Sequence, residues 1–326
     1  MKLPRRKFLH LMGAAGAVPA SLQFARAEHW PSRVIRLVVG FPPGGGSDAA
    51  ARIVANGLSD IWGQQVVVEN KGGAGSRLAY EAVAHASPDG YTMLWGPGSF
   101  AISRLLYSSL NFDPVADFAP VTLIGEFSIL LVVPNSSPAK SVAEFIAYAK
   151  ANPGKITYAS PGIGTLPHLA GELFERKAGI ELRHVPYRGG STWVADLIAG
   201  RVDAMFNTSG SLLQMARAGQ VRGLAVTTAE RFATEPEFPS VAEAGVPDFD
   251  VSGWYALFVP AKTLATIVRM MHDDAAAMLS EPAIRAMFEP LGVAVRSSTP
   301  DDLAARLRRE ADLWGPIIRV ANIKMD

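Results

Sequence analysis

The chain of 326 residues contains no cysteine. It can therefore form no disulfide bond, no thiolate metal site and no cysteine nucleophile, and its stability must come from buried side chains. The six histidines are scattered, and no two of them have the helical spacing of a metal site, so no metal is predicted. After residue 27 there is no basic run and no basic strip interleaved with aromatic residues, which argues against a nucleic-acid partner.

Motifs of enzymes are equally scarce. The chain has no Gly-x-Ser-x-Gly nucleophile elbow, and no close carboxylate pair follows a predicted strand. Its two glycine-rich loops, residues 41–47 and 160–165, lack the Lys-Ser/Thr pair of a phosphate-binding P-loop and miss the G-x-G-x-x-G spacing. We therefore predict no cofactor and no catalysis, and a cofactor-binding periplasmic enzyme stays open as an alternative.

Residues 1–27 have the features of an export signal. The segment contains five basic residues and no acidic one, and its apolar stretch 8–18 is too short to span a bilayer. It ends in an Ala-x-Ala site, which predicts cleavage after about Ala27 and a location in the periplasm. The paired Arg5 and Arg6 indicate a twin-arginine signal, with an ordinary secretory signal as the alternative. Without the segment, 26 basic residues remain against 30 acidic ones.

Strand and helix signals alternate almost throughout the rest of the chain. Apolar runs predict strands at 34–39, 66–68, 91–95, 129–133, 156–159, 182–185, 202–206 and 221–226. Helical spacing predicts helices at 48–62, 78–86, 141–153, 166–177, 193–199, 212–218, 264–279, 282–288 and 300–314. This alternation indicates an α/β fold with parallel sheets that are covered on both faces.

The 299 residues after residue 27 are long enough for two domains of roughly 150 residues each. If the chain crosses into a second domain near 130–134 and returns near 254–260, each domain contains one of the glycine-rich loops. We therefore predict two doubly wound α/β domains joined by a two-crossing hinge. Domain I consists of residues 28–130 plus 256–326, domain II consists of 131–255, and the two loops face each other across a cleft.

The first loop carries Gly44, Gly45 and Gly46 in succession, ahead of a helix that Ser47 or Asp48 caps. Uncovered N–H groups and the positive end of a helix dipole together favour an anion. A tight turn without a ligand is the alternative, and it would be the better interpretation of a single isolated loop.

The second loop leads into a helix that Thr165 caps, three positions before His168. At that spacing the His168 ring can reach either the capping turn or the cleft, and a structural histidine is as plausible as a ligand contact. Tyr187 ends a strand at the same edge, where it can also be a rim residue. Asn207 follows another strand, at the carboxyl edge where open α/β sheets bind ligands.

Nine features, distributed over nearly the whole chain after residue 27, resemble one known family. They are the segments 35–48, 69–75, 88–92, 149–155, 164–169, 184–189, 224–228 and 239–245, and Trp254. Each one alone is weak, but their order and spacing are specific. Together they resemble the extracytoplasmic binding receptors of tripartite tricarboxylate transporters, the Bug or TctC-like family.

The resemblance implies a periplasmic binding protein of the Venus-flytrap fold, a monomer without cofactor or catalysis. Such a receptor captures a small organic carboxylate and delivers it to the membrane permease subunits of a tripartite transporter. The same fold acting as a sensor partner of a histidine kinase is the alternative. The absence of a cationic residue from both loops favours a ligand with one or two carboxylates over a tricarboxylate.

The resemblance also implies that both loops hold the ligand carboxylate through backbone N–H groups and water. The residues that it places at the cleft are Phe41, Pro43, Gly44, Gly45, Ser47, Gly98, Ser99, Ser160, Ile163, Gly164, Thr165, His168, Tyr187 and Asn207. One departure from the family pattern is Arg77, which follows Ser76 where a second glycine and a small polar residue are usual. Arg77 is either a ligand contact or a solvated surface residue.

Overall fold

A computed structural model describes residues 30–107, 109–320 and 323–324 of the chain. The predicted signal segment, residues 1–27, lies outside this range. The fold given below is that of the unit Arg33–Asp326. In the part of the chain that is described, no helix combines the length and the apolar character that a membrane span requires.

The described residues alternate between strands and helices. The strands are β1 (Ile35–Val39), β2 (Val66–Asn70), β3 (Thr92–Pro97), β4 (Phe118–Pro134), β5 (Thr157–Ser160), β6 (Arg183–Pro186), β7 (Ala204–Thr208), β8 (Val221–Val226), β9 (Ser252–Pro260) and β10 (Val293–Val295). The α-helices are α1 (Gly46–Trp62), α2 (Arg77–Ala84), α3 (Ser103–Leu106), α4 (Val142–Ala151), α5 (Leu166–Ala178), α6 (Val194–Ile198), α7 (Ser209–Arg217), α8 (Ala265–Ser280), α9 (Pro282–Phe288) and α10 (Pro300–Val320). Short 3-10 turns occupy Ala74–Ser76, Gly98–Phe100 and Glu289–Leu291.

The strands form one mixed sheet in the order β2-β1-β3-β9-β4-β7-β5-β6, with β10 and β8 paired to β4 beside this path. β1 runs parallel to β2 and β3, and β5 runs parallel to β6 and β7. The expected parallel pairing is confirmed for these strands but not for β4 and β9, which run antiparallel to each other and to their neighbours. A chain that crosses a junction and later returns must run in opposite directions on the two passes.

The junction lies within β4, which is 17 residues long. Up to Ser128 the strand pairs with β9, and from Ile129 onward it pairs with β7 and β8. We call the part built on β1, β2, β3, β9, β10 and the first part of β4 lobe I. The part built on β5, β6, β7, β8 and the second part of β4 is lobe II. The exact boundaries of the two predicted domains, 28–130 plus 256–326 and 131–255, stay a prediction.

The C-terminal helix α10 contacts the cores of both lobes. Leu303 and Leu307 are buried in a cluster of lobe I that includes Phe258, whereas Trp314 is buried among residues of lobe II such as Phe206. Between these two groups, the carboxylate of Glu310 accepts one hydrogen bond from Trp254 and one from Trp314, each at 2.9 Å. The predicted domain boundaries place all of residues 256–326 in domain I, so the contact of Trp314 with the core of lobe II was not predicted.

Candidate ligand-binding site

A cavity of about 60 Å³ lies between the lobes, next to both glycine-rich loops. Among the described residues that line it, none has a charged side chain. Much of the wall is apolar and comes from Phe41, Pro97, Phe127, Pro161, Leu166, Pro167 and Tyr255. The polar or glycine positions are Gly45, Gly46, Ser47, Gly98, Ser99, Thr165, Gly189, Gly190, Asn207, Thr208 and Ser211.

Three helices begin at this cavity. α1 begins at Gly46 on lobe I, and α5 and α7 begin at Leu166 and Ser209 on lobe II. The residues at each start line the cavity wall. The first N–H groups of a helix have no acceptor within the helix, and the helix dipole makes this end positive. The cavity is therefore surrounded by backbone donors from both lobes, and this arrangement suits an anion.

The first loop is anchored from behind by Asp48, which is 5% exposed. Its carboxylate accepts hydrogen bonds from the Gly44 N–H at 3.1 Å, from Arg52 at 3.0 Å and from Asn70 at 2.9 Å. Burial opposes ionisation, but these three bonds outweigh it and hold the pKa of Asp48 below its usual value. Asn70 also donates to the Phe41 carbonyl at 2.9 Å, so the same pair of side chains holds both ends of the loop.

The predicted capping of α1 by Ser47 or Asp48 is wrong, because the N-cap residue is Gly45, with an extended backbone and no side-chain cap. The helix begins earlier than predicted, and both side chains bind elsewhere. Ser47 accepts a hydrogen bond from the Trp95 indole at 3.0 Å, and Asp48 turns back onto the loop. The N-cap of α1 consequently supplies no side chain to its first turn, and the Gly46 N–H instead donates to the Ser211 hydroxyl of lobe II at 3.2 Å.

On lobe II, hydrogen bonds within the protein fix the polar side chains of the wall. Thr165 donates to the Gly162 carbonyl at 2.7 Å and caps α5 by accepting from the His168 N–H. The Asn207 side-chain oxygen accepts from the Thr208 N–H at 2.8 Å. This bond engages the oxygen of Asn207, so the amide group is the end that is left to donate toward the cavity.

The base of the cavity is aromatic. Tyr255 of β9 stacks on Phe127 of β4 with ring centroids 4.4 Å apart, and the ring centroid of Trp95 of β3 lies 4.9 Å from that of Tyr255. Burial raises the pKa of the Tyr255 hydroxyl, although hydrogen bonding to Ser47 and Thr208 opposes the rise. The hydroxyl is therefore protonated at neutral pH and is an uncharged polar group of the cavity wall.

Beside the cavity, the lobes meet through glycine backbone. A Cβ atom on Gly46 would lie 2.9 Å from the carbonyl carbon of Gly210, and one on Gly190 would lie 3.4 Å from the Pro43 carbonyl oxygen. The Gly46 N–H donates to the Ser211 hydroxyl at 3.2 Å across the same contact. A side chain at Gly46 would hold the lobes apart, so glycine at this position is what permits this approach, whereas a Cβ atom on Gly190 would only reach van der Waals contact.

The structure gathers seven of the predicted site residues around the cavity: Phe41, Gly45, Ser47, Gly98, Ser99, Thr165 and Asn207. The other seven lie elsewhere. Ile163 and Tyr187 line a neighbouring depression, where the Tyr187 hydroxyl donates to Asp196 at 2.8 Å. Gly44 lines a second depression, and Pro43 lies at the contact with Gly190. Ser160 and Gly164 are buried residues of the second loop itself, and His168 is buried in the first turn of α5. A ligand role of each residue stays a prediction.

Two further residues from the sequence analysis can be placed. The His168 ring nitrogen Nδ1 accepts from the Gly164 N–H at 3.1 Å, so the ring reaches the capping turn and not the cavity. The Arg77 side chain, which is about one-third exposed, approaches Glu81 at 3.4 Å and lies over the Tyr107 ring. Neither residue is part of the cavity wall.

Several wall residues were not predicted, and the reasons differ. Phe127 and Tyr255 lie on strand segments that the apolar runs did not reveal. Thr208 and Ser211 were missed because α7 begins at Ser209, before the predicted start at Leu212. Gly190 belongs to the segment that carries Tyr187, and its consecutive glycines were a signal that could have found it.

The comparisons with known proteins agree with this geometry. The family model described as "Tripartite tricarboxylate transporter family receptor" matches residues 50–323. The chain is 37% identical over 306 residues to the UPF0065 protein in the tcbD-tcbE intergenic region of Pseudomonas sp. (strain P51), covering 94% of this chain and 91% of the relative. A solved structure of R. palustris Rpa4515 with adipate has a TM-score of 0.87 and 33% identity, over 90% of this chain and 99% of that one.

The periplasmic binding protein BugD gives a TM-score of 0.85 at 30% identity, over 90% of this chain and 99% of its own. The expected periplasmic binding protein fold is thereby confirmed, since these neighbours match nearly the whole length of the chain. The family resemblance read from the sequence segments is confirmed as well. This chain belongs to the tripartite tricarboxylate transporter receptor family, whose members are periplasmic solute-binding proteins.

Proposed function

We propose that this protein is an extracytoplasmic receptor that closes on a small organic carboxylate and delivers it to the membrane permease subunits of a tripartite transporter. The observation that carries the proposal is that α1, α5 and α7 all begin at one cavity without charged side chains. Since α1 belongs to lobe I and the other two belong to lobe II, an anion bound there stabilises the contact between the lobes. Export by a signal cleaved after about Ala27 is part of the same proposal.

The charge available at the cavity limits the charge of the ligand. The N-terminus of a helix is equivalent to roughly half a positive elementary charge, so three helices supply about one and a half. No arginine, lysine or histidine adds to this in the described wall. One or two carboxylates are therefore matched, whereas the three charges of a tricarboxylate would be left partly uncompensated in a site with little water.

The wall also favours an apolar ligand body. Phe41, Phe127 and Tyr255 present aromatic surface, and Leu166 and Pro167 add aliphatic surface. The hydroxyl groups of Ser47, Thr165 and Ser211 already take part in hydrogen bonds within the protein. A hydroxyl on the ligand body that does not reach the Asn207 amide or another polar group of the wall would lose hydration without a matching partner, and such a loss costs about 1–3 kcal/mol. The solved relative that contains adipate, a dicarboxylate with a methylene body, supports this expectation.

A thermal-shift panel on the purified chain without residues 1–27 tests the proposal. We expect adipate to raise the melting temperature most, malate to raise it less and citrate to leave it nearly unchanged. Ligand at 100-fold excess over Kd adds about 2.7 kcal/mol to the free energy of unfolding, which is an easily measured shift. If none of the carboxylates changes the melting temperature, the receptor proposal is wrong; a strong response to citrate alone would contradict only the charge argument.

A further inference from the structure

A cluster of polar side chains is packed beneath the second glycine-rich loop. The rings of His168 of α5 and His184 of β6 stack with centroids 4.1 Å apart, and Tyr158 of β5 stacks on the other side of His184 at 4.8 Å. Glu172, one turn after His168 on α5, accepts a hydrogen bond from the Tyr158 hydroxyl at 2.5 Å. His168 is only 5% exposed and lies outside the cavity wall, so this cluster supports the loop and does not contact a ligand in the cavity.

The hydrogen bonds determine the tautomer of His168. Nδ1 accepts from the Gly164 N–H at 3.1 Å, and a nitrogen that accepts carries no proton. The proton of the neutral ring is therefore on Nε2, which faces a Glu172 oxygen at 3.5 Å. Burial opposes ionisation of Glu172, but hydrogen bonding to His168 and Tyr158 outweighs it and lowers the pKa of Glu172. Glu172 is thus an ionised, oriented acceptor that fixes the ring in one tautomer.

The N–H group that donates to Nδ1 belongs to Gly164, whose backbone conformation favours glycine. Gly164 has φ +73°, in the left-handed region, and it directly precedes Thr165, the N-cap of α5. Thr165 and Leu166 line the cavity. The orientation of Gly164 therefore sets the direction in which the first N–H groups of α5 point.

We infer that His168 is a positioning residue for ligand binding: its neutral ring holds the Gly164 N–H and so aims the start of α5 at the cavity. This inference rests on the proposed function, since it assigns α5 a role in holding the carboxylate. Without the acceptor, the buried Gly164 N–H can regain a partner only if the loop rotates, and that rotation moves Thr165 and Leu166 as well.

Two variants separate an acceptor role from a packing role. His168→Asn keeps an oxygen close to the position of Nδ1 and cannot be protonated, whereas His168→Leu keeps the bulk and has no acceptor. With adipate as the probe in isothermal titration calorimetry at pH 7.5, we expect His168→Leu to weaken binding at least about ten-fold and His168→Asn to stay within about three-fold of the wild type.

Equal weakening in both variants or unchanged binding in His168→Leu would overturn the inference. Hydrogen exchange of the ligand-free proteins tests it even if adipate does not bind. The Gly164 amide should lose protection in His168→Leu and keep it in His168→Asn, and equal protection in the two would also overturn it. If the wild type binds none of the carboxylates but the exchange result holds, the proposed function fails while the support of the loop by His168 stands.

Discussion

The contact between Gly46 and Gly210 offers a sharp perturbation of lobe closure. Replacing Gly46 with alanine places a Cβ atom 2.9 Å from the carbonyl carbon, 3.0 Å from the Cα and 3.2 Å from the oxygen of Gly210. These are backbone atoms, so no side-chain rotation relieves the clash. Gly45, the neighbouring residue, is a matched control: its Cβ would be 3.8 Å from the nearest atom, the Cα of Gly190, which is ordinary van der Waals contact.

The expected magnitude follows from the cost of overpacking. An added methyl group in a well-packed contact costs about 1–3 kcal/mol. At about 1.4 kcal/mol per ten-fold change, this weakens binding by about 5- to 150-fold, because the cost arises only when the lobes close. With the lobes apart, alanine at the first residue of α1 is tolerated, since it is a better helix former than glycine. The melting temperature of the ligand-free protein should therefore not fall.

Isothermal titration calorimetry with adipate, together with the melting temperature of each ligand-free variant, provides the assay. We expect Gly46→Ala to bind at least about five-fold more weakly than the wild type, and Gly45→Ala to lose clearly less affinity than Gly46→Ala. The reasoning is refuted if Gly46→Ala binds like the wild type or if the two variants weaken binding equally. If the melting temperature of the ligand-free protein falls in Gly46→Ala but not in Gly45→Ala, the contact between Gly46 and Gly210 is also present without ligand.

Three other residues give independent tests. Asn207→Asp keeps the oxygen that accepts from Thr208 but replaces the amide donor with an anionic oxygen. Calorimetry should therefore show at least about ten-fold weaker adipate binding. An unchanged affinity would exclude Asn207 as a ligand contact. Burial and the nearby glutamates raise the pKa of Glu175 to about 7, although one backbone hydrogen bond lowers it. In urea unfolding, the wild type should therefore lose stability relative to Glu175→Gln as the pH rises from about 4.5 to 7. A stability difference that stays constant over this pH range would contradict the prediction. Glu235 is fully buried and accepts a hydrogen bond from the Ser128 hydroxyl at 2.5 Å. In urea unfolding, Glu235→Ala should lower the free energy of unfolding by about 1–3 kcal/mol, and Glu235→Gln should lower it clearly less. Equal losses of stability in the two variants would argue against a stabilising role of the hydrogen bond.

Elements with strong local signals could be predicted from the sequence almost to the residue. α5 is an example, since Thr165 caps it, Pro167 lies in its first turn and Gly179 ends it in the left-handed conformation. β4 is the opposite case, because only its apolar part near 129–133 was predicted although the strand begins at Phe118. Register shifts near Pro120 and between Leu123 and Gly125 interrupt its regular pairing, so the first part has no simple alternation.

The base of the cavity depended on pairing that no local pattern records. Phe127 faces Gly253 across the β4–β9 ladder, and a Cβ atom on Gly253 would clash with the Phe127 ring. Tyr255 follows two residues later on the same strand and stacks on that ring. Phe127 and Tyr255 are more than a hundred positions apart in the sequence, so the contact between their rings follows from the register of β4 and β9. The glycine-rich loops could be found because their composition alone marks a backbone with exposed donors.

The central claim is that helix-start N–H groups from both lobes hold the ligand carboxylate. Amide chemical shifts of the ¹⁵N-labelled protein, titrated with adipate, test it most directly. The account predicts saturable shifts for the Ser47 and Leu166 amides on opposite sides of the cavity, with the same Kd as calorimetry gives. Saturable binding that leaves both amides unshifted, or that shifts the amides of one lobe only, would contradict it.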